Sequence, residues 1–339
     1  MQLRKYIVSF LICGGIFGLS GCDGLFRDAP YNKLSQETIW GSQLLLDEYV
    51  LPWYRNMSNG FSIYMPTSSS LLKGACRDYL PWYGDQITIS RADWYNTAYG
   101  DILKSISSEI TRRGLVNWNN YYARIQSVNL LLENEGKIQE GAHKQRILGE
   151  AHFFRAYYYM ELIARFGDVP WVDQVLQEES PEAYGPRVDR KTVADKVLER
   201  LQWAEQNIGN FTSQDGDNTI NQDCVRAVIS RFGLREGTWR KYHELGDAEK
   251  YLQECVRASE LLMAAYPTLY TGTDGQPGAG YGEMWTTEDL GQVPGIILYK
   301  SYVKDINPMG MSYIEHTSSH YVEMNQNTVD LYLMKNGKP

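Results

Sequence analysis

The sequence predicts a mainly α-helical protein in which antiparallel helix pairs stack on one another, with long irregular aromatic-rich loops and little strand. Between residues 118 and 265, apolar residues recur three and four positions apart in five successive segments. Short connections containing glycine or proline separate these segments, as in antiparallel helix pairs. Only the run from Ile296 to Tyr299 has strong strand-like character. Such pairs form tetratricopeptide-like arrays, in which each pair buries its apolar face against the next.

The first 22 residues have the pattern of a bacterial lipoprotein signal. Arg4 and Lys5 precede an apolar run, and Leu19-Ser20-Gly21-Cys22 matches the lipobox at all four positions. The run is too short and too rich in glycine to predict a membrane-spanning helix. We therefore predict cleavage before Cys22 and attachment of diacylglycerol to its thiol, so that acyl chains hold the mature protein on a membrane. An ordinary signal peptide with a chance cysteine is the alternative.

The rest of the chain divides into a lipidated tether over residues 22–34 and a helical domain over residues 35–339, after a signal peptide over residues 1–21. A first helix is predicted from near Ser35 through Tyr49, with Pro52 as its end or as a kink. Residues 56–98 combine turn residues with many aromatic residues, which predicts long loops over a helical body.

Five longer helices follow, each identified by its apolar positions. These positions are Tyr121, Ile125, Val128 and Leu132 in the first, Leu148, Ala151, Phe154, Tyr158 and Leu162 in the second, Val193, Val197, Leu201, Ala204 and Ile208 in the third, Val225, Val228 and Phe232 in the fourth, and Ala248, Tyr251, Cys255, Ala258 and Leu262 in the fifth. Gly167, Gly209 and Gly237 are predicted to end the second, third and fourth helices. Asp247 is predicted to be the N-cap of the fifth. Residues 305–327 are expected to be irregular.

Charge and cysteine content exclude several classes of function. The net charge is −8, and removal of residues 1–21 leaves 31 basic against 41 acidic residues, which argues against nucleic-acid binding and against electrostatic attachment to anionic lipid. Outside the signal and the lipidated position, Cys76, Cys224 and Cys255 have no paired spacing, which predicts neither a disulfide framework nor a zinc site. Cys224 and Cys255 look like small buried hydrophobic residues.

No cofactor or metal is predicted. His316 and His320 are four positions apart, but the Thr-Ser-Ser sequence between them is a poor helix former, so a solvated loop is favoured over a metal site. Asp215 begins a sequence similar to a calcium loop, but Arg226 occupies the position where a bidentate glutamate belongs. The glycines around Tyr281 lack the strand and helix that frame a nucleotide-binding turn.

Four segments resemble a known family. Residues 149–159 read GEAHFFRAYYY and residues 165–171 read RFGDVPW, and they resemble the long helix and exit turn of SusD/RagB outer-membrane lipoproteins. Residues 186–190 (PRVDR) resemble the start of the next helix, with Asp189 in place of the usual Ser or Thr. Residues 328–337 (TVDLYLMKNG) resemble a segment that usually lies well inside the family's chain. We therefore expect this sequence to be the N-terminal part of a member, with a naturally short member as the alternative.

The resemblance implies a function as well as a fold. Such proteins bind a nutrient, usually a glycan, at the surface of Bacteroidota and act as a lid on a SusC-like TonB-dependent barrel. It therefore implies an oligosaccharide ligand, a barrel partner and no enzymatic activity. A peptide cargo is the first alternative. A surface glycosidase would need paired carboxylates across a cleft, which no motif shows, and a helical-repeat scaffold is the remaining alternative.

Loop aromatic residues beside amide or carboxylate groups are the candidates for sugar contact. They are Trp82, Tyr83, Asp85, Trp94, Tyr95, Asn96, Tyr281, Glu283 and Trp285. An aromatic ring can cover the C–H face of a pyranose while the polar neighbour bonds its hydroxyls. Packing over the helical body or against the barrel is the alternative for each ring. Arg155 is expected to form a structural ion pair with Glu150 or Glu161 rather than to contact ligand.

Overall fold

The computed structural model describes residues 36–54, 57, 87–89, 102–209, 218–273, 279–287, 289–299, 301, 322–324 and 337–338. Its helices are α1 (Gln36–Trp40), α2 (Gln43–Tyr54), α3 (Ile102–Glu133), α4 (Ala142–Phe166), α5 (Arg190–Asn207), α6 (Gln222–Tyr242), α7 (Ala248–Ala265) and α8 (Ala279–Thr286), and its strands are β1 (Ile87–Ile89) and β2 (Val322–Met324). The predicted mainly α class is confirmed. The predictions made for the signal, the tether, Cys76, Asp215, His316 and His320 lie outside the described residues.

Helices α3 to α7 form an antiparallel array in which each helix packs on the next. At one end of the α3–α4 pair, the rings of Trp118 and Phe166 lie 5.1 Å apart. Gly149 of α4 lies against Ile208 at the end of α5, and the same antiparallel pattern continues through α6 and α7. This succession is the predicted arrangement of tetratricopeptide-like pairs.

The centre of the core is α4, because α2, α3 and α5 all pack on it. Its residues 151–159 are all buried, including three consecutive tyrosines from Tyr157 to Tyr159. The Tyr158 hydroxyl donates to the Trp53 carbonyl at 3.1 Å, so the phenol is satisfied inside the core. Burying a large apolar side chain stabilises the fold by about 1.5–3 kcal/mol. Much of the aromatic content therefore builds the core.

The prediction of a single first helix is wrong, because Gly41 and Ser42 interrupt the helix between α1 and α2. The Ser42 hydroxyl accepts from the Leu45 amide at 3.4 Å and begins a new helix. Pro52 does not end α2, which continues to Tyr54. The indole of Trp53 donates to the Ser127 hydroxyl at 3.1 Å and fastens this last turn to α3.

Gly237 does not end the fourth of the predicted longer helices, because α6 continues through it to Tyr242. A Cβ atom at Gly237 would lie 2.7 Å from Leu252 Cδ2, and one at Gly233 would lie 2.6 Å from the Tyr251 carbonyl oxygen. These two glycines, one helical turn apart, let α7 approach the backbone of α6. A helix-ending glycine is confirmed at Gly167, which has φ of +68° directly after α4.

Asp247 does precede α7, but its carboxylate does not cap the helix. The carboxylate instead forms an ion pair with the ammonium group of Lys191 in α5, at 2.8 Å. Capping by an acidic side chain occurs at α5, where Asp189 accepts from the Thr192 amide at 2.8 Å. Asp189 therefore serves as the N-cap of α5.

The run from Ile296 to Tyr299 is not a strand. The Asn218 side chain takes the place of a partner strand, since its amide donates to the Tyr299 carbonyl at 2.6 Å and its oxygen accepts from the Tyr299 amide at 3.2 Å. The one strand pair in the described residues joins β1 to β2 antiparallel, with Ile87 opposite Met324 and Ile89 opposite Val322. The expectation of irregular structure over residues 305–327 is therefore wrong at β2.

Both cysteines in the described part are free thiols. Cys224 is buried, which raises the pKa of its thiol to about 11, whereas Cys255 is half-buried. The prediction of a small buried hydrophobic residue is confirmed for Cys224. Among the helices described, none combines the length and apolar character needed to cross a membrane.

Candidate functional site

The predicted sugar-contact residues fall into two groups. Seven predicted site residues lie outside the described part of the chain, and their roles stay predictions: Cys22, Trp82, Tyr83, Asp85, Trp94, Tyr95 and Asn96. The other three, Tyr281, Glu283 and Trp285, lie in α8, so the prediction that they belong to a loop is wrong. The described candidate site is therefore α8 together with the segment 270–273 that precedes it, and we name this unit the α8 hairpin.

Glu283 holds the α8 hairpin together. Its carboxylate accepts from the Tyr270 hydroxyl at 2.9 Å and from the Thr273 amide at 2.9 Å. The Thr273 hydroxyl donates to the same carboxylate at 3.1 Å. The bond from Tyr270 raises the pKa of that phenol, because ionisation would place two negative charges side by side. Through these bonds the Glu283 carboxylate positions α8. Its contact with a sugar hydroxyl stays a prediction.

Two glycines allow the two halves of the α8 hairpin to approach closely. Gly272 has φ of +86°, and a Cβ atom there would lie 2.7 Å from the Gly280 amide nitrogen. The Gly280 amide donates to the Thr271 carbonyl at 3.2 Å, which joins the backbones directly. A side chain at Gly280 would collide with the Tyr270 carbonyl oxygen. The glycine-rich composition of this region therefore serves backbone packing.

Tyr281 is the exposed aromatic residue of the α8 hairpin, with 69 % of its surface accessible. A phenol held on a helix that is fixed at its base can offer one ring face to an apolar surface of a ligand at low entropic cost. The sequence prediction that Tyr281 is available for contact is consistent with this exposure.

A second surface that the sequence reasoning missed lies between α4 and α5. We name it the α4–α5 cluster, and its members are His152, Arg155 and Tyr159 of α4 with Lys196, Arg200 and Trp203 of α5. The His152 and Trp203 rings lie 3.8 Å apart at one end. At the other end Trp171 stacks on Tyr159 at 4.2 Å, with the Lys196 ammonium 5.2 Å from the Trp171 ring centre. Arg155 and Arg200 lie between these two aromatic contacts.

Burial and like charge shape the electrostatics of this cluster. His152 is 8 % exposed and Arg155 is 3 % exposed. Burial, and then the charges of Arg155 and Arg200, lower the pKa of His152 to about 3, so its imidazole is neutral at physiological pH. Burial and then the Arg200 charge lower the pKa of Arg155 to about 10, against a smaller opposing effect of Asp173.

The expected ion pair of Arg155 with Glu150 or Glu161 is wrong for the described residues. Residues five or six positions apart on a helix lie on different faces, so neither carboxylate can reach Arg155 along α4. Glu150 pairs instead with Arg146, one turn earlier, at 2.9 Å. Spacing in the sequence contained this information, since positions 146 and 150 are four apart.

The described residues offer no cluster of three or more His, Cys, Asp or Glu that could hold a metal ion. Two of the most buried carboxylates, Glu205 and Glu236, each serve two arginines. Glu236 pairs with Arg190 and Arg240, and Glu205 pairs with Arg226 and Arg257. Through these ion pairs the two carboxylates connect neighbouring helices and have a structural role.

Comparison with known proteins places this fold. A family model described as "SusD-like", "Starch-binding associating with outer membrane", matches residues 77–234. The SusD-like protein P2 of Formosa agariphila is 24 % identical over 308 residues, which cover 90 % of this chain and 57 % of that protein. The SusD-like protein P25 of the same organism is 22 % identical over 246 residues. These matches support membership of the SusD/RagB family.

The fold of the chain agrees with that of solved SusD-like structures. A SusD-like carbohydrate-binding protein of Bacteroides fragilis superposes with a TM-score of 0.59 at 18 % identity, over 89 % of this chain and 55 % of that one. A second SusD-like protein of B. fragilis gives 0.52 at 22 % identity, over 72 % and 42 %. Both comparisons show the fold. The chain spans about half the length of the curated relatives it matches, at 57 % and 44 % for the two named above.

Proposed function

We propose that this protein is a cell-surface lipoprotein that binds a glycan non-covalently and delivers it to a SusC-like TonB-dependent transporter. The family match over residues 77–234 is the observation that carries the proposal. The exposed Tyr281 ring on the fixed α8 hairpin supports it, because a ring of this kind suits the C–H face of a sugar.

Glycan binding is tested by screening the full chain against a broad oligosaccharide array and measuring the affinity of each hit by calorimetry. Tyr281→Ala should weaken binding about tenfold, because a stacked ring contributes roughly 1 kcal/mol or more. Tyr242→Ala is the matched control, since Tyr242 is 79 % exposed at the end of α6. If the protein binds peptides and no saccharide, the proposed glycan ligand is wrong and the cargo is a peptide. Release of reducing sugar from a bound glycan would contradict the non-enzymatic role.

Anchoring and delivery need separate measurements. Mass spectrometry of the protein from membranes should find diacylglycerol on Cys22, and Cys22→Ala should release the protein from the outer membrane. Capture of a β-barrel with the tagged protein, together with loss of growth on the bound glycan after deletion, is the expected result for delivery. Growth on that glycan without the protein would contradict delivery.

A further inference from the structure

Two arginines of the α4–α5 cluster, Arg155 and Arg200, form no ion pair with a carboxylate in the described structure. Arg155 is 3 % exposed, and its Nε atom and that of Arg200 are buried without a hydrogen-bond partner in the described structure. The Nδ1 atom of His152 is buried and unpartnered in the same way. A buried polar atom without a partner is unfavourable, and a buried charge more so. Three such atoms lie together here, which makes the cluster a candidate binding site.

Two other arginines, the buried Arg240 of α6 and the half-buried Arg146 of α4, show how carboxylates can compensate such charge in this chain. Arg240 bonds to Glu236 at 2.9 Å and to Asp195 at 3.0 Å. Arg146 bonds to Glu150 at 2.9 Å and also to Asp47. In the α4–α5 cluster the acid that acts on Arg155 is Asp173, which is exposed and accepts from the Trp171 indole at 3.1 Å. The cluster therefore has more positive than negative charge, in a protein whose net charge is −8.

The geometry favours an oxyanion as the missing group. Guanidinium groups present planar sets of donors that match the oxygens of a carboxylate or a sulfate ester. Arg155 lies at the buried base of the cluster, while Arg200 and Trp203 are half-exposed and form its rim. The neutral imidazole of His152 adds one polar atom whose role as donor or acceptor depends on its tautomer. Any ligand would therefore meet Arg200 and Trp203 first, with Arg155 beneath them.

The aromatic flanks favour an anion that is carried by a saccharide over a free ion. Trp203 is half-exposed at one end of the cluster, and Trp171 is half-exposed at the other. A ring beside a pair of arginines can cover an apolar face of a sugar while the arginines bond its charged substituent. Trp203 is placed for this role, whereas Trp171 already contacts Tyr159 and Lys196. A small inorganic anion would use the arginines alone.

We propose that the α4–α5 cluster binds the carboxylate or sulfate ester of an acidic saccharide, with Arg155 and Arg200 as the anion donors and Trp203 as an aromatic flank. This inference rests on the proposed glycan-binding function and names the class of glycan. It assigns binding roles to residues that lie apart in the sequence from the predicted contacts around positions 82–96 and in the α8 hairpin.

The test compares an oligosaccharide of uronic acid with the same oligosaccharide after reduction of its carboxyls to alcohols. A sulfated oligosaccharide and its desulfated form make the second pair, and inorganic sulfate is the free-anion probe. The full chain should bind an acidic form about tenfold more tightly than its neutral counterpart, since charge-assisted hydrogen bonds to guanidinium contribute that much. Arg200→Gln should remove this preference. Arg231→Gln, the same change at an exposed arginine of α6, should keep it.

The His152 resonance gives a readout at the site itself. A bound anion opposes the charges of Arg155 and Arg200, so the imidazole pKa should rise on binding to the wild-type protein. The same titration of Arg200→Gln should show no such rise. Arg200 is half-exposed and its loss removes repulsion from Arg155, so the variant is expected to keep its fold, which circular dichroism checks.

The outcomes separate this inference from the proposed function. Equal affinity for acidic and neutral forms, or an acidic preference that survives in Arg200→Gln, overturns the inference and leaves glycan binding in place. Binding of sulfate but of no acidic saccharide means an adventitious ion only, which also overturns it. A protein that binds no glycan of either kind contradicts the proposed function itself.

Discussion

Buried charge in this protein is stabilised mainly by contacts between helices. Arg240 and Glu236 are both fully buried, and they bond to each other at 2.9 Å within α6. Arg240 also donates to Asp195 of α5 and to the Tyr251 hydroxyl of α7, both about 3 Å away. A buried pair repays its desolvation only when such additional bonds satisfy it. Here the additional bonds fix the relative positions of three helices. The arginines of the α4–α5 cluster make no such bonds to carboxylates in the described structure.

Glu150 is the buried carboxylate whose protonation should change stability with pH. It is 1 % exposed, and burial raises its pKa from 4.5 to about 7 despite the opposing charge of Arg146. The folded state therefore holds this proton more tightly than the unfolded chain does. The stabilising contribution is complete below pH 4.5 and is lost as the pH rises through about 7.

We predict that Glu150→Gln, which mimics the protonated acid, becomes more stable relative to the wild type as the pH rises from 4.5 to 7. Urea unfolding of both proteins at several pH values measures this difference. Glu199→Gln, the same change at an exposed position of α5, is the matched control for the substitution itself. A difference that does not grow with rising pH would contradict the raised pKa and show that Arg146 keeps Glu150 ionised in the folded state.

At the scale of helices and strands, apolar periodicity predicted the longer helices correctly. The prediction that Gly237 ends a helix was wrong. Val193, Val197 and Leu201 are all buried as their spacing predicts, because a helix face is a local property of the sequence. A glycine near the end of an apolar pattern can either end a helix or let a second helix approach closely. At Gly237 the second reason applies, because α7 packs against it. The pairing of β1 with β2 joins residues more than two hundred positions apart, which no local pattern encodes.

The site shows the same division between local and long-range information. Exposure of Tyr281 follows from its place in a polar, glycine-rich segment. The bonds that engage Glu283 come from Tyr270 and Thr273, ten or more positions away, and were not visible as a pattern. The α4–α5 cluster depends on the facing of two helices, so His152 and Trp203 meet although 51 positions separate them in the chain. Sequence reasoning saw the residues there only as parts of two amphipathic helices.

The glycines at the α6–α7 contact give a graded prediction at the same scale. Gly233→Ala should destabilise by about 1–3 kcal/mol, because its Cβ atom would meet the Tyr251 backbone oxygen at 2.6 Å. Gly237→Ala should destabilise less, since it meets the Leu252 side chain, which can move. Gly282→Ala, in α8 with no atom within 4 Å, is the control and should stabilise by about 0.5–1 kcal/mol. Urea unfolding gives the order, and a loss at Gly282 equal to that at Gly233 would contradict it.

At the scale of the whole molecule, burial falls from α4 towards α7. All residues from 151 to 159 in α4 are buried, because three helices surround it. In α7 only Tyr251 and Ala258 are buried, and its principal contact is α6. Stability in a helical array is roughly a sum of each unit and its contacts with its neighbours. The array should therefore open from the α7 side before its centre unfolds.

Native-state hydrogen exchange measures this gradient directly. We predict that amides of α4 exchange only through global unfolding, with a free energy equal to that from urea denaturation. Amides of α7 should exchange through a smaller opening of lower free energy and weaker urea dependence, because fewer buried contacts are lost. Ligand that binds the α4–α5 cluster should raise protection in α5 more than in α7, since α7 contributes no member to that cluster. Identical free energies and urea dependence for α4 and α7 would instead show one cooperative unit, in which the bonds of Arg240 bind α5, α6 and α7 too tightly for separate opening.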